Sequence, residues 1–251
     1  MRERRIFFTV IVVCLGIVLL NIVRFDKVNA SSRVSDKNKL DKECKELLKK
    51  GYTEEELAFA EISEDIIELK EDNIEDEQII NIIDERSKNA NQSVTRGNPL
   101  DKIENAYETW ERLTDVEKKL VTLNPTKSVA AFAASKKSVE LTAQNFGKNG
   151  LGDKSDGFRH ATWCALMARD AGSKFAKDFS TAHESGKTEE MLQQVASDGY
   201  KEKDHMEMDL HNNGVGISLI KDKNVSNDEV VSMVMNKLTN NKATGIYWLH
   251  D

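Results

Sequence analysis

The stretch "DGFRHATWCALMARDAGSKFAKDFSTAHE" runs from Asp156 to Glu184. Asp156, His160, Cys164 and Met167 follow one another at spacings of four, four and three, which places them on one side of a helix over about 158–171. Gly172 breaks or bends that helix, and Ser173 stands where it can cap a second one, along which Phe175, Phe179 and His183 recur every four residues. Two helical repeats in tandem, with no alternating pattern between them, set the expectation of an all-α fold. Each helix carries an imidazole on its apolar stripe: His160 beside Arg159, and His183 beside Glu184.

Outward from this stretch the punctuation is that of helices. The 251 residues include only two prolines and are 31 % charged, which favours long helices over a strand-rich sandwich with its frequent turns. Asn98 and Pro99 start one helix, Thr114 with Glu117 caps a short second, and Asn124 with Pro125 starts a third that ends at Gly147. Ser226 with Glu229 caps a later helix carrying Val230, Val231, Val234 and Leu238. Between them "DHMEMDLHNNGVG" reads as a helix stopping near Gly214, where Asn213 and Gly214 tolerate left-handed geometry. The terminal "GIYWL" is the one candidate strand.

"SKNANQSVTRGNP", Ser87–Pro99, is the clearest boundary, and it sets off an α-helical domain at 98–251 from an acidic linker and helical spacer at 31–97. Within the spacer, Thr53 and Glu56 make a capping box ahead of an apolar stripe of Leu57, Phe59, Ile62, Ile66 and Ile67, and Ile79, Ile80, Ile82 and Ile83 form a second cluster. Two readings stand: a module that binds an envelope protein partner through residues 41–84, or a solvated acidic arm.

Residues 1–30 read as a signal peptide or a membrane anchor. Arg2, Arg4 and Arg5 precede an apolar run over 6–23, so the remainder is expected outside the cytoplasm, secreted or held to the membrane through that run. Val28-Asn29-Ala30 offers a small-residue cleavage site, although Arg24, Asp26 and Lys27 approach it. The whole chain has a net charge of −7, and the first thirty residues carry more basic than acidic groups, so the exported part is more acidic still. With no cluster of Lys and Arg among aromatics, nucleic acid is not expected as a standing ligand. Cys44 and Cys164 are too few and too far apart for a disulfide framework, and Cys164 reads as a buried free thiol.

Four of the five histidines fall between 160 and 211. His160, His183, Glu184, His205, Asp209 and His211 form a pool of groups suited to a divalent metal such as zinc, for which imidazole and carboxylate are the ordinary ligands. His160, His183, His205, Asp209 and His211 are the candidate ligands; His160, His183, Glu184 and Asp209 are the candidate catalytic groups, with Glu184 or Asp209 as the base. Taken singly, each histidine reads equally as a core residue bonded to a carbonyl. "HE" at 183–184 is not HExxH, because Lys187 stands where the second histidine belongs. A metal-free alternative uses His160 and His183 or His211 as acid and base, with Arg159 or an Asn amide facing an oxyanion; Arg159 also reads as an ion-pair partner of Asp156 or Glu184.

"SDGFRHATW", "AHE" and "MDLHNNGVG", preceded by "LTDVEKKLVTLNP" and "SKKSVELTAQNFG", resemble an uncharacterised bacterial domain family found at the C-terminal end of secreted, wall-associated and toxin-like proteins. The resemblance covers about 110–220; Gly157 and Cys164 depart from the usual Ala and Asn. It implies a domain with a shared polar centre and carries no established reaction. The combined expectation is an exported hydrolase, metal-assisted or using histidine acid and base. A non-enzymatic envelope binding protein and a toxin-like effector are the alternatives.

Overall fold

The computed structural model describes residues 30–92 and 101–251. The expected signal or anchor segment, and the centre of the expected boundary at 87–99, lie outside the described residues. The chain divides into compact units at 1–38 and 39–251. Among the described residues the elements are helical: α1 (Ala30–Lys49), α2 (Ala60–Glu71), α3 (Asp76–Gln92), α4 (Asp101–Glu111), α5 (Asp115–Leu123), α6 (Pro125–Phe146), α7 (Lys154–Asp170), α8 (Ser173–Glu184), α9 (Glu189–Gln193), α10 (Glu202–Leu219) and α11 (Asn227–Met235). The chain is all-α; "GIYWL" contributes a single bridge, Leu238 to Ile246. None of these helices is long and apolar enough to cross a membrane.

Helix α7 is the axis of the larger unit. Phe158, Ala161, Cys164, Ala165, Leu166, Met167 and Ala168 are buried around its whole circumference, the pattern of a helix enclosed by others. It starts because Asp153 caps it, accepting hydrogen bonds from the amides of Ser155 at 2.8 Å and Asp156 at 3.1 Å. Helices α6 and α10 flank it most closely, with α8 and α11 completing the cage. Its last turn buries Arg169 and Asp170, which are satisfied by each other, by Tyr52 and Lys50, and by Asn227.

Helix α10 runs unbroken through Asn213 and Gly214 to Leu219, so the stop expected at Gly214 does not occur. Packing supplies the reason. A Cβ at Gly216 would strike the carbonyl oxygen of Ala161, so the glycine is there to let α10 lie against α7. Similarly, the capping boxes at Thr114 and Ser226 form as read, and Gly147 ends α6 with φ +69°.

The acidic helices share this core. Leu47, Tyr52, Phe59, Ile62, Ile66, Ile79 and Ile83 are buried with the residues of α6–α8, and the Ser63 hydroxyl donates to the Pro125 carbonyl at 2.9 Å. Residues 39–92 are therefore part of one packed unit rather than a solvated arm.

Candidate metal centre

Three helices bring polar side chains to one buried point. Asp156 and His160 are one turn apart on α7, Asp209 and Asn213 are one turn apart on α10, and Glu184 closes α8. His160 Nε2 lies 3.4 Å from Asp209 Oδ1 and 3.6 Å from Asp156 Oδ1, and one ligand atom from each of the three lies within 4.8 Å of the other two. The two shorter separations exceed an ordinary N–H···O hydrogen bond of about 2.7–3.2 Å. They match the edge, about 3.4 Å, of a tetrahedron whose metal–ligand bonds are about 2.1 Å.

Around this point polar atoms lack partners. His160 Nδ1, Asp209 Oδ1, Glu184 Oε1 and both amide atoms of Asn213 are buried without a hydrogen bond. Burying such atoms unpaired costs about 1–3 kcal/mol apiece, so a concentration of them in one spot calls for further partners there, ordered water or an ion. Asp156, by contrast, is oriented: its Oδ2 accepts the Gly152 amide at 2.6 Å, and Oδ1 pairs with Arg159, whose other arm donates to the Gly150 carbonyl at 3.0 Å. Outer partners of this kind are what aim a ligating carboxylate.

The electrostatics point the same way. Burial pushes His160 down to about 3, with the charges of Arg159 and His183 adding to the effect, so the imidazole is neutral and free to coordinate. Burial raises Asp209 well above the carboxylate range, and Asp156 and Glu184 raise it further. Glu184 is raised by burial, opposed by His183 and Lys187 and reinforced by Asp156 and Glu117; Asp156 is raised by burial against the opposing charge of Arg159. Neighbouring buried carboxylates that resist ionisation together are relieved by a cation.

A pocket of about 170 Å³ meets the centre at His160 alone, and is lined by Ser135, Ser138, Val139, Arg159, His160, Trp163 and His183. His183 stands in its wall, but its Nδ1 is bonded to Glu117 Oε1 at 2.9 Å. The structure does not bring His205 and His211 to the same point. His205 Nε2 pairs with Asp198 at 3.2 Å, beside His250, which reaches the same carboxylate at 3.1 Å and the Leu151 carbonyl at 2.9 Å. His211 Nε2 meets the Gly245 carbonyl at 2.9 Å. Both hold neighbouring loop and C-terminal segments in place, as does Asn212, which exchanges hydrogen bonds with the backbone of Tyr247.

Of the expected ligands, His160 and Asp209 therefore meet, with Glu184 and His183 close by and His205 and His211 elsewhere. Asp156 is a candidate ligand that the expected set lacked. Its spacing of four from His160 was the available signal, outweighed by its ready reading as the partner of Arg159, which it also is. Glu117, a capping residue by its place in the sequence, caps α5 and holds His183 as well.

Residues 118–242 match the family model of a domain of unknown function, DUF6973. No curated protein and no solved structure matches the chain. The DUF6973 segment contains Asp156, His160, Glu184, Asp209 and Asn213, the whole of the candidate centre. Glu117 stands one residue before it, and the segment from Gly245 to His250 follows it.

Proposed function

We propose that this chain is an exported hydrolase whose larger unit works through a divalent ion, zinc or a similar metal, held by Asp156, His160 and Asp209. The observation that carries the reading is the spacing of His160 Nε2 from the two carboxylates: wider than an ordinary hydrogen bond, close to the edge of a tetrahedron, and buried, with Asp209 Oδ1 lacking any hydrogen-bond partner. One imidazole and two carboxylates leave room for water and substrate, and the ion supplies Lewis-acid polarisation. Glu184, kept basic by burial and by its carboxylate neighbours, takes the proton from the attacking water. Arg159 and His183, both in the wall of the pocket, face the negative charge that develops on the substrate. Export rests on the basic N-terminus followed by the apolar run over 6–23.

The test is turnover of p-nitrophenyl esters and bis(p-nitrophenyl) phosphate by the zinc-loaded chain. Loss of at least about 100-fold in kcat/KM is expected for His160→Ala and Asp209→Ala, each folded by circular dichroism. Undiminished turnover in either variant would remove these residues from the reaction. A binding protein of the envelope is the second reading, supported by the complete pairing of Asp156 with Arg159 and Gly152; it requires the folded chain to take up no metal.

A further inference from the structure

Next to the polar pocket lies a second, larger one. Its volume is about 340 Å³, the room of roughly ten waters, and Phe59, Ala131, Phe132, Trp163 and Phe179 form its apolar walls. The rings are locked to one another: Phe59 stacks on Phe132 at 3.8 Å, Phe132 meets Phe179 edge-on at 5.7 Å, and Trp163 meets Phe179 at 6.4 Å. Trp163 is itself fixed by a hydrogen bond from its indole to the Ala131 carbonyl at 3.2 Å. Glu56, Arg112, Glu117 and Lys136 also line the hollow, so it opens to the surface among charged groups while its aromatic walls leave apolar area that an apolar guest would cover. Its volume sits at the lower end of ordinary ligand sites, about 300–1,000 Å³.

The two pockets adjoin. Ser135, Trp163 and His183 line both, so the two share a wall, and Arg159 and His160 line the polar one. A molecule occupying both has an apolar part of limited size and, directly attached, a polar group beside Arg159 and His160. We propose that the substrate is an acyl ester whose medium-length acyl chain fills the hollow walled by Phe59, Phe132, Trp163 and Phe179, with its ester carbonyl at the mouth of the His160 pocket. The orientation rests on the reading of Asp156, His160 and Asp209 as the reactive centre; the hollow does not. Hydrolysis then adds water across the acyl C–O bond. The water oxygen bonds to the acyl carbon, one proton passes through Glu184 to the departing alcohol oxygen, and the other is released as the carboxylic acid ionises.

Decanoate, the product half of such an ester, is the probe. Its binding to the full chain is measured by titration calorimetry below its micellar concentration, once with chelator and once zinc-loaded. Saturable binding of one decanoate per chain is expected in both states. Thr109→Phe and Leu113→Trp, half-exposed positions on the rim of the hollow, should each weaken it at least tenfold while metal content and circular dichroism stay unchanged. No saturable binding, many molecules per chain, or affinity indifferent to both variants would overturn the acyl site. Decanoate bound to a chain that takes no metal would sink the metal reading alone, and metal bound without decanoate would sink this one alone.

Discussion

His160 is neutral where an exposed histidine would be partly charged near pH 6.5, because burial and the cations beside it make a second positive charge unfavourable. Asp209 opposite it carries the complementary problem, a carboxylate among carboxylates. The two are mismatched without a cation and matched with one. Asp209→Asn is therefore expected to act in opposite directions in the two states. It should stabilise the metal-free chain by on the order of 1 kcal/mol, roughly 2–4 °C in Tm, by removing a carboxylate that burial and its neighbours disfavour. It should cancel the rise in Tm that zinc gives the unmodified chain. Thermal melts with chelator and with zinc check both; a drop in Tm with chelator would mean that the Asp209 carboxylate is a structural hydrogen-bonding group. At this scale the sequence was legible in part. His160 stands on a helical stripe and Glu184 and Asp209 accompany the histidines as carboxylates, whereas His205 and His211 look equivalent to them because spacing reveals a face and not what packs against it.

Helices α7 and α10 place the centre, and their contact depends on one missing methyl group. Any side chain at Gly216 meets the Ala161 carbonyl, one residue from His160. Gly216→Ala is expected to cost about 1–3 kcal/mol by forcing the helices apart, with a matching loss of metal affinity as Asp209 withdraws from His160. Chemical denaturation and metal titration of the same variant test the two effects together; unchanged stability would show that the helices can slide past the intrusion. Helix starts were readable because their signals are local: the Thr114 and Ser226 capping boxes form and Pro125 opens its helix, although Asn124 makes no side-chain cap and Ser173 is the first helical residue rather than the cap. The run of α10 through Gly214 was not readable, since that helix is held by its neighbours and a glycine inside it signals a close approach as readily as an end. The packing of residues 39–92 into the common core escaped for the same reason: an apolar stripe declares that a face is buried, not which partner buries it.

Across the larger unit, α5 and α8 are tied by His183 and Glu117. Burial lowers the affinity of His183 for its proton, but the hydrogen bond and charge of Glu117 outweigh it and raise the value; burial raises Glu117, and His183 with Thr114 outweighs that and lowers it. A raised histidine contributes stability that is complete below its ordinary value of 6.5 and lost as pH rises through the folded one, while a lowered glutamate contributes above 4.5 and is lost as pH falls through its folded value. The pair is thus strongest between these limits. The difference in Tm between the unmodified chain and His183→Gln should be larger at pH 5.5 than at pH 8.5; a gap that does not change with pH would show that the contact is not an ion pair. The central claim, however, is the ion itself. Elemental analysis of the full chain purified without chelator, alongside folded His160→Ala and Asp209→Asn variants, tests it most directly. One equivalent of zinc or another divalent transition metal per chain, absent from both variants, is the result expected here, and a folded, metal-free chain that takes up none on incubation with zinc or manganese would contradict it.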